Sequence, residues 1–502
     1  MNQIMIMQMF LPILFAFMSA LSALSTEGKP HVLFVSVDDL NDWIGCLDGH
    51  PQALTPNMDR LASRGILFAN AHCASPACNP SRSTVFSGLM PQRTGVWSNL
   101  YPKFGSLNPN AMGLVRAFSK AGFKTMGTGK LSGDKATRYD ESFNTAQRWS
   151  PLPQGAVKYS LDELPSKGTT DPRHITKDLQ GNSVVLPLNR MPSDRRPHTT
   201  DGESFDWGPF DVPDADFGDT RITDWALNKI LEGFESPTFL GIGYYRPHIP
   251  LYAPKRFFAR FEEDPGQLPK VLKDDIQDLT KIGKRWAVEA DTAGLHYTVV
   301  KNGQWRRAVE SYLACITYID NEIGRLMDVL DKSSASSNTW IVLWSDHGWH
   351  LGEKMHWGKW TPWERSTRVP LIIVPPKKLE TDFAIGGSVC IEPVSLIDLY
   401  PTLVELCDLP RPPVLDGHSL VPLLRDPLLK TDRVVVTMFD KGNLSLRTRQ
   451  WRYIRYTNGD EELYDLSSDT NEWTNLVANK DYSYTLFQLR KRADRELKRL
   501  SK

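Results

Sequence analysis

Two runs in this chain are apolar almost throughout, and both stop on acids. His31-Val32-Leu33-Phe34-Val35-Ser36-Val37 leads into Asp38-Asp39, and Thr339-Trp340-Ile341-Val342-Leu343-Trp344 leads into Ser345-Asp346-His347. A run without polar alternation reads as a strand covered on both faces, which places it in a mostly parallel sheet between layers of helices. Open sheets of that kind take their ligands at the carboxyl edge. Both strands therefore carry acids to one edge. Asp38 and Asp39, side by side, repel each other unless a cation lies between them. Three carboxylates suit a hard divalent cation, and His347 brings zinc or manganese into the set.

The rest of the chain is consistent with an α/β fold. Pro56 opens a helix over Thr55 to Ala62, and Ile66 to Asn70 reads as a strand. Phe118 to Thr128 forms a helix–strand step ending in Gly127-Thr128-Gly129-Lys130. Asp219 to Glu232 reads as a helix, and Pro237 to Tyr245 as a strand running into Arg246-Pro247-His248-Ile249-Pro250. Val309, Tyr312, Ile316, Ile319 and Ile323 recur at helical steps and predict a helix over Gln304 to Asp331. Val369 to Val374 reads as a third buried strand, and Ser395 to Leu409 as a helix. Beyond residue 425 the runs Arg433 to Met438 and Trp451 to Tyr456 alternate, which predicts a smaller antiparallel sheet closed by a helix over Tyr484 to Leu500. The expected division is a signal segment 1–25, a catalytic domain 26–425 and a C-terminal subdomain 426–502. Within the catalytic domain, prolines recur over about 134–215 without periodicity, as in a variable insert, and 256–300 is a charged excursion.

Lysine plus arginine equals aspartate plus glutamate, 59 each, so there is no global basic field for nucleic acid. Recognition of an anion has to come from a local cluster. Met5 to Ala23 is apolar and Ala23-Leu24-Ser25 is a small-residue cleavage pattern, together an export signal. Its first residues lack Lys and Arg, and the other reading is an uncleaved anchor. With cleavage, the mature protein is exported, to a periplasmic, extracellular or lysosome-like compartment, without stable membrane insertion. Cys46, Cys73, Cys78, Cys315, Cys390 and Cys407 show no zinc-type pairing, and export permits a disulfide or two.

Cys78-Asn79-Pro80-Ser81-Arg82 carries the chemistry. Asn79 suits a helix cap and Pro80 the first helical position, which puts Cys78 at a helix N-terminus where an anion is favoured, with Arg82 one turn on. A lone cysteine in a turn is ordinarily only a small buried side chain. This pentapeptide, however, resembles the C-x-P-S-R signature of the sulfatases, whose cysteine is oxidised after translation to formylglycine. The resemblance runs from Val35 to Asn475 and is strongest toward the iduronate-2-sulfatase-like group. It is carried by Arg246-Pro247-His248-Ile249-Pro250, Trp344-Ser345-Asp346-His347-Gly348-Trp349-His350-Leu351-Gly352-Glu353 and Thr367-Arg368-Val369-Pro370-Leu371.

The resemblance implies an alkaline-phosphatase-like fold and one calcium ion per chain, held by Asp38, Asp39, Asp346, His347 and the modified Cys78. It implies that Lys130 and Lys359 clamp sulfate oxygens, that Arg82 positions the hydrated aldehyde, and that His248 protonates the departing alcohol. Arg246, His350, His356 and Trp357 are expected to contact substrate, and the tryptophans of 349–363 to offer flat faces to a sugar or aryl ring. The implied partners are a sulfated polysaccharide or oligosaccharide, such as a glycosaminoglycan or algal galactan, and a formylglycine-generating enzyme. Two departures stand out: Gly133 where the family has a histidine three residues after the lysine, and Arg246 where many members have lysine. The competing readings are an arylsulfatase, a phosphoester hydrolase of the same fold, and a non-catalytic carbohydrate-binding relative.

Overall fold

A computed structural model describes residues 28–108, 110–132, 139–145, 151–152, 174–192, 194, 205–289 and 293–500. The signal segment lies outside these residues, as do Gly133 and much of the insert. The strands β1 (His31–Val37), β2 (Ile66–Phe68), β3 (Lys124–Gly129), β4 (Glu141–Phe143), β5 (Thr238–Tyr244), β6 (Thr339–Ser345), β7 (Leu371–Val374) and β8 (Ser388–Cys390) form one sheet. Their order is β8-β2-β7-β6-β1-β5-β3-β4. β1 pairs in parallel with both β6 and β5, and only β7 runs against the others.

The two apolar runs, β1 and β6, are thus central neighbours, and their continuous hydrophobicity has a direct cause. Leu33, Val35 and Val37 of β1 pack with Met58, Ile222 and Tyr312 from α1 (Pro56–Arg64), α3 (Gly218–Glu232) and α5 (Trp305–Lys332). Val32 and Phe34 face the other way, onto Val85 and Phe86 of α2 (Cys78–Ser87) and Leu399 and Leu403 of α6 (Leu399–Leu406). Neither face meets water, so neither needs polar side chains. Register His31–Thr339 through Val37–Ser345 brings the ends of β1 and β6 level, and with them Asp38 and Asp346.

The C-terminal subdomain is an antiparallel sheet in sequence order: β9 (Val435–Met438), β10 (Leu444–Arg447), β11 (Trp451–Arg455) and β12 (Glu461–Asp465). One face packs on Leu486, Leu489 and Ala493 of α7 (Ser483–Leu500). The other face, through Ile454, Tyr456 and Tyr464, packs on Trp360, Trp363 and Trp286, the last from α4 (Lys281–Val288). The charged excursion includes α4, which contributes to this contact. All six cysteines are free. Among the described residues no helix is long and apolar enough to cross a membrane.

Candidate active site

The helix bearing Cys78 begins earlier than the capping pattern predicts. Ala77 is the N-cap, Cys78 is the first helical residue, and Pro80 sits inside the first turn. Proline is tolerated there because first-turn amides have no helical acceptor; the first bond runs from Ser81 N to Ala77 O at 2.9 Å. Asn79 ties down the adjoining loop instead, its backbone N–H donating to Asn99 Oδ1 and its amide to Tyr101 O, both at 2.9 Å.

Four chain segments converge on Cys78 Sγ. Lys359 Nζ lies at 3.0 Å, Lys130 Nζ at 3.3 Å, His347 Nε2 at 3.4 Å and Asp38 Oδ1 at 3.6 Å. Lys359 also donates to Asp39 Oδ1 at 2.7 Å, and Lys130 is ion-paired with Asp38. His248 Nε2 lies 3.9 Å from Asp39 Oδ2, while its Nδ1 donates to Ile249 O at 2.5 Å. The ring of His347 is turned the same way, Nδ1 to Gly348 O at 3.0 Å, which leaves Nε2 to face the cluster. Carbonyl partners of this kind fix the tautomer of an imidazole.

Arg82 does not stand free to meet an anion. Its guanidinium donates to Asp346 Oδ2 at 2.8 Å, Asp38 Oδ1 at 3.3 Å, Ser36 Oγ at 3.1 Å and Leu131 O at 3.1 Å, and also to Lys130 O. It therefore locks the two acids at the strand ends and the backbone carrying Lys130. Asp39 adopts a left-handed φ of 61°, held by Tyr312, whose hydroxyl donates to Asp39 O at 2.7 Å and accepts from Asn41 N at 3.0 Å. A non-glycine residue in that region is strained and persists only where its surroundings impose it.

Electrostatics follow from burial. Desolvation alone would raise the Asp38 carboxyl, but Lys130, His248, Arg82 and Lys359 outweigh it and hold it well below the usual carboxylate range. Asp39 goes the other way: burial pushes it up to about 7 against the pull of Lys359. Burial, then the Lys130 and Lys359 ammonium groups, hold His248 well below the ordinary imidazole value.

The donor set fits a divalent cation. Ligand atoms of Asp38, Cys78, Asp346 and His347 all lie within 4.8 Å of one another, as do those of Asp38, Asp39, Cys78 and His248. Asp39 Oδ2 is buried without a hydrogen-bond partner, His248 Nε2 standing off at 3.9 Å, and an unbonded buried carboxylate oxygen is costly. Oxygen-rich donors of this kind favour a hard ion.

A family model described as Sulfatase matches residues 30–409, and one described as N-sulphoglucosamine sulphohydrolase, C-terminal, matches residues 352–499. The chain belongs to the sulfatase family. Members of that family hydrolyse sulfuric esters, and this sulfatase is an enzyme of that class. It is 32% identical over 458 residues to a sulfatase of Formosa agariphila, spanning 90% of this chain and 83% of that one. It is 30% identical over 431 residues to human iduronate 2-sulfatase, spanning 79% and 72%, as the motifs led one to expect. A solved structure in complex with D-glucosamine-2-N,6-O-disulfate as its substrate superposes with a TM-score of 0.69 over 94% of this chain and 98% of that one. At 20% identity the likeness speaks for the fold.

The expected substrate contacts of this sulfatase are placed differently. Arg246, 2% exposed, donates to Tyr252 O at 2.9 Å and His248 O at 3.1 Å, bracing the turn behind His248. His350 lies against Thr361 Oγ1 and Glu353 O, and His356 against Ala287 O and Lys359 O. Trp357 stacks on Trp207 at 6.1 Å and donates to His296 Nδ1 at 3.0 Å. All four are buried. Trp349, Trp360 and Trp363 are buried too, and Trp349 borders the cluster, its ring 5.5 Å from Lys359 Nζ and 6.5 Å from the His248 ring.

Sequence reasoning missed Ser36, Tyr312 and Gly243. At Gly243 a Cβ would collide with the Lys130 backbone, whose N–H donates to Gly243 O at 2.8 Å. Two glycine-containing strand ends met by a lysine were its only trace in sequence. Gly243→Ala is expected to cost about 1–3 kcal/mol through overpacking. By displacing Lys130 it should also lower kcat/KM about 100-fold. Thermal denaturation and steady-state kinetics check both; wild-type kinetics would show that the close approach does not position Lys130.

Proposed function

We propose that this chain is an exported carbohydrate sulfatase acting through formylglycine at Cys78 with one calcium ion. The observation that supports this is the convergence of two ammonium groups, an imidazole and a carboxylate on Cys78 Sγ at 3.0–3.6 Å. The hydrated aldehyde and its cation would supply an attacking hydroxyl at neutral pH. Asp38, Asp39, Asp346 and His347 are the residues that would hold the ion.

The roles of the remaining residues follow from position. Lys130 and Lys359 flank the nucleophile and bind sulfate oxygens, giving the ester a fixed approach. Arg82 keeps Asp38 and Asp346 in place behind them. His248 presents Nε2 to the departing oxygen and carries the proton there. Burial and the Lys130 and Lys359 ammonium groups together hold its pKa down, and a sulfate bound between those lysines would offset their share. The overall reaction consumes water and yields an alcohol and inorganic sulfate.

A sulfated saccharide is the substrate class favoured by the human iduronate 2-sulfatase likeness and by the relative seen with a glucosamine disulfate. The test is sulfate release by the enzyme produced with a formylglycine-generating partner, calcium present. The panel holds sulfated glycosaminoglycan and galactan oligosaccharides, an aryl sulfate and a phosphate monoester. Release from a saccharide is the expected result. Release from the aryl sulfate alone would replace carbohydrate by aryl ester, and phosphate release alone would overturn the reading.

A further inference from the structure

Lys359 sits in a segment that does not support itself. Lys354, Met355 and Trp360 have positive φ values of 53°, 55° and 76°, and Gly358 has 107°. Side chains rarely adopt this region, so such a run persists only when held from outside. Lys359 nevertheless has to keep its ammonium group 2.7 Å from Asp39 and 3.0 Å from Cys78 Sγ. Its flexible stem fixes nothing by itself.

His356 lies three residues before it and is buried. One ring nitrogen, Nε2, is 3.0 Å from Lys359 O; the other, Nδ1, is 3.1 Å from Ala287 O at the end of α4. The ring thus bridges the backbone of Lys359 to a helix outside the central sheet. His356 N also donates to Glu353 O, and His356 O accepts from Gly352 N, both at 3.0 Å, so the bridge grips both sides of the strained turn. Both contacts are to carbonyl oxygens, so a neutral ring donates to one of them and holds the other by packing, and a small or apolar side chain removes that donor.

We propose that His356 is a positioning residue for Lys359: it sets where the ammonium group stands, and touches no substrate itself. The inference rests on the reading above that Lys359 binds sulfate. It also replaces the contact with a leaving group that sequence suggested for His356.

The experiment measures binding of inorganic sulfate, independent of turnover. Sodium sulfate is titrated by calorimetry against His356→Phe, His356→Gln, Lys359→Ala and the double variant His356→Phe/Lys359→Ala, at ionic strength matched with sodium chloride. His356→Phe is expected to weaken sulfate binding about tenfold. His356→Gln, which keeps one donor, should recover part of that loss. The double variant should bind no more weakly than Lys359→Ala alone, because a residue acting through Lys359 has nothing left to act on. Losses that simply add, or a His356→Phe that binds sulfate like wild type, overturn the proposal. Wild-type binding by Lys359→Ala removes Lys359 from the sulfate site, and the inference falls with that reading. His356→Gln, matched to wild type by near-UV circular dichroism, guards against mistaking misfolding for a binding defect.

Discussion

Cys78→Ala is expected to abolish sulfate release, lowering kcat by about four orders of magnitude or more, the scale on which removing a covalent nucleophile acts. Stability should hardly change. The thiol is buried at the first residue of α2, where alanine is compatible with the helix, and Lys130 and Lys359 keep their pairs with Asp38 and Asp39. Truncating one sulfur should cost about 1 kcal/mol. Inorganic sulfate should still bind, since the groups that meet it remain. That combination of dead chemistry with intact binding and fold separates a nucleophile from a structural cysteine. Cys78→Ser is the sharper variant: it restores a hydroxyl at the same place but cannot be matured to the aldehyde in the same way. Sulfate release is read by ion chromatography and the oxidation state of residue 78 by peptide mass. Wild-type turnover in either variant would dispose of the formylglycine mechanism.

How far the sequence reads ahead of the structure differs from element to element. β1 and β6 were legible because strands buried on both faces carry no polar alternation, and their acids were legible because a parallel sheet gathers strand ends at one edge. Helix α5 was legible from its spacing and lies over Trp305–Lys332 against an expected Gln304–Asp331. The helix at Cys78 was misplaced by two residues, because proline fits inside a first turn as well as at its start. Burial was the larger gap. Arg246, His350, His356 and Trp357 look like surface groups in a list of residue types, yet each is buried against a partner: Tyr252 and Thr361 from the same stretch of chain, Ala287 and His296 from distant ones. Local patterns cannot show Ala287 and His296, which lie 69 and 61 residues away in the chain. Asp38, Asp39, Cys78, Asp346 and His347, expected together, do come together, because strand register alone is enough to assemble most of them.

Arg82→Ala is the substitution expected to damage the fold most. Arg82 is 2% exposed and its guanidinium bridges two fully buried carboxylates, Asp346 at 2.8 Å and Asp38 at 3.3 Å. Removing one member of a buried ion pair leaves uncompensated charge and typically costs about 3–5 kcal/mol. Here the carbonyl of Leu131 and the hydroxyl of Ser36 lose their donor as well. The same change frees Asp38 and Asp346 to turn away from the centre, so affinity for the proposed calcium ion and turnover should fall together with the melting temperature. Arg82→Lys is the informative companion. It keeps the charge but has a single ammonium in place of a planar fork, and cannot reach both acids and the backbone of Lys130 at once. It should recover part of the stability and little of the activity. Denaturant unfolding with and without calcium, beside kcat/KM on the same preparations, checks this. An Arg82→Ala protein as stable as wild type would mean that Asp38 and Asp346 are held by the cation and the lysines alone, leaving the guanidinium with a role only toward the bound ester.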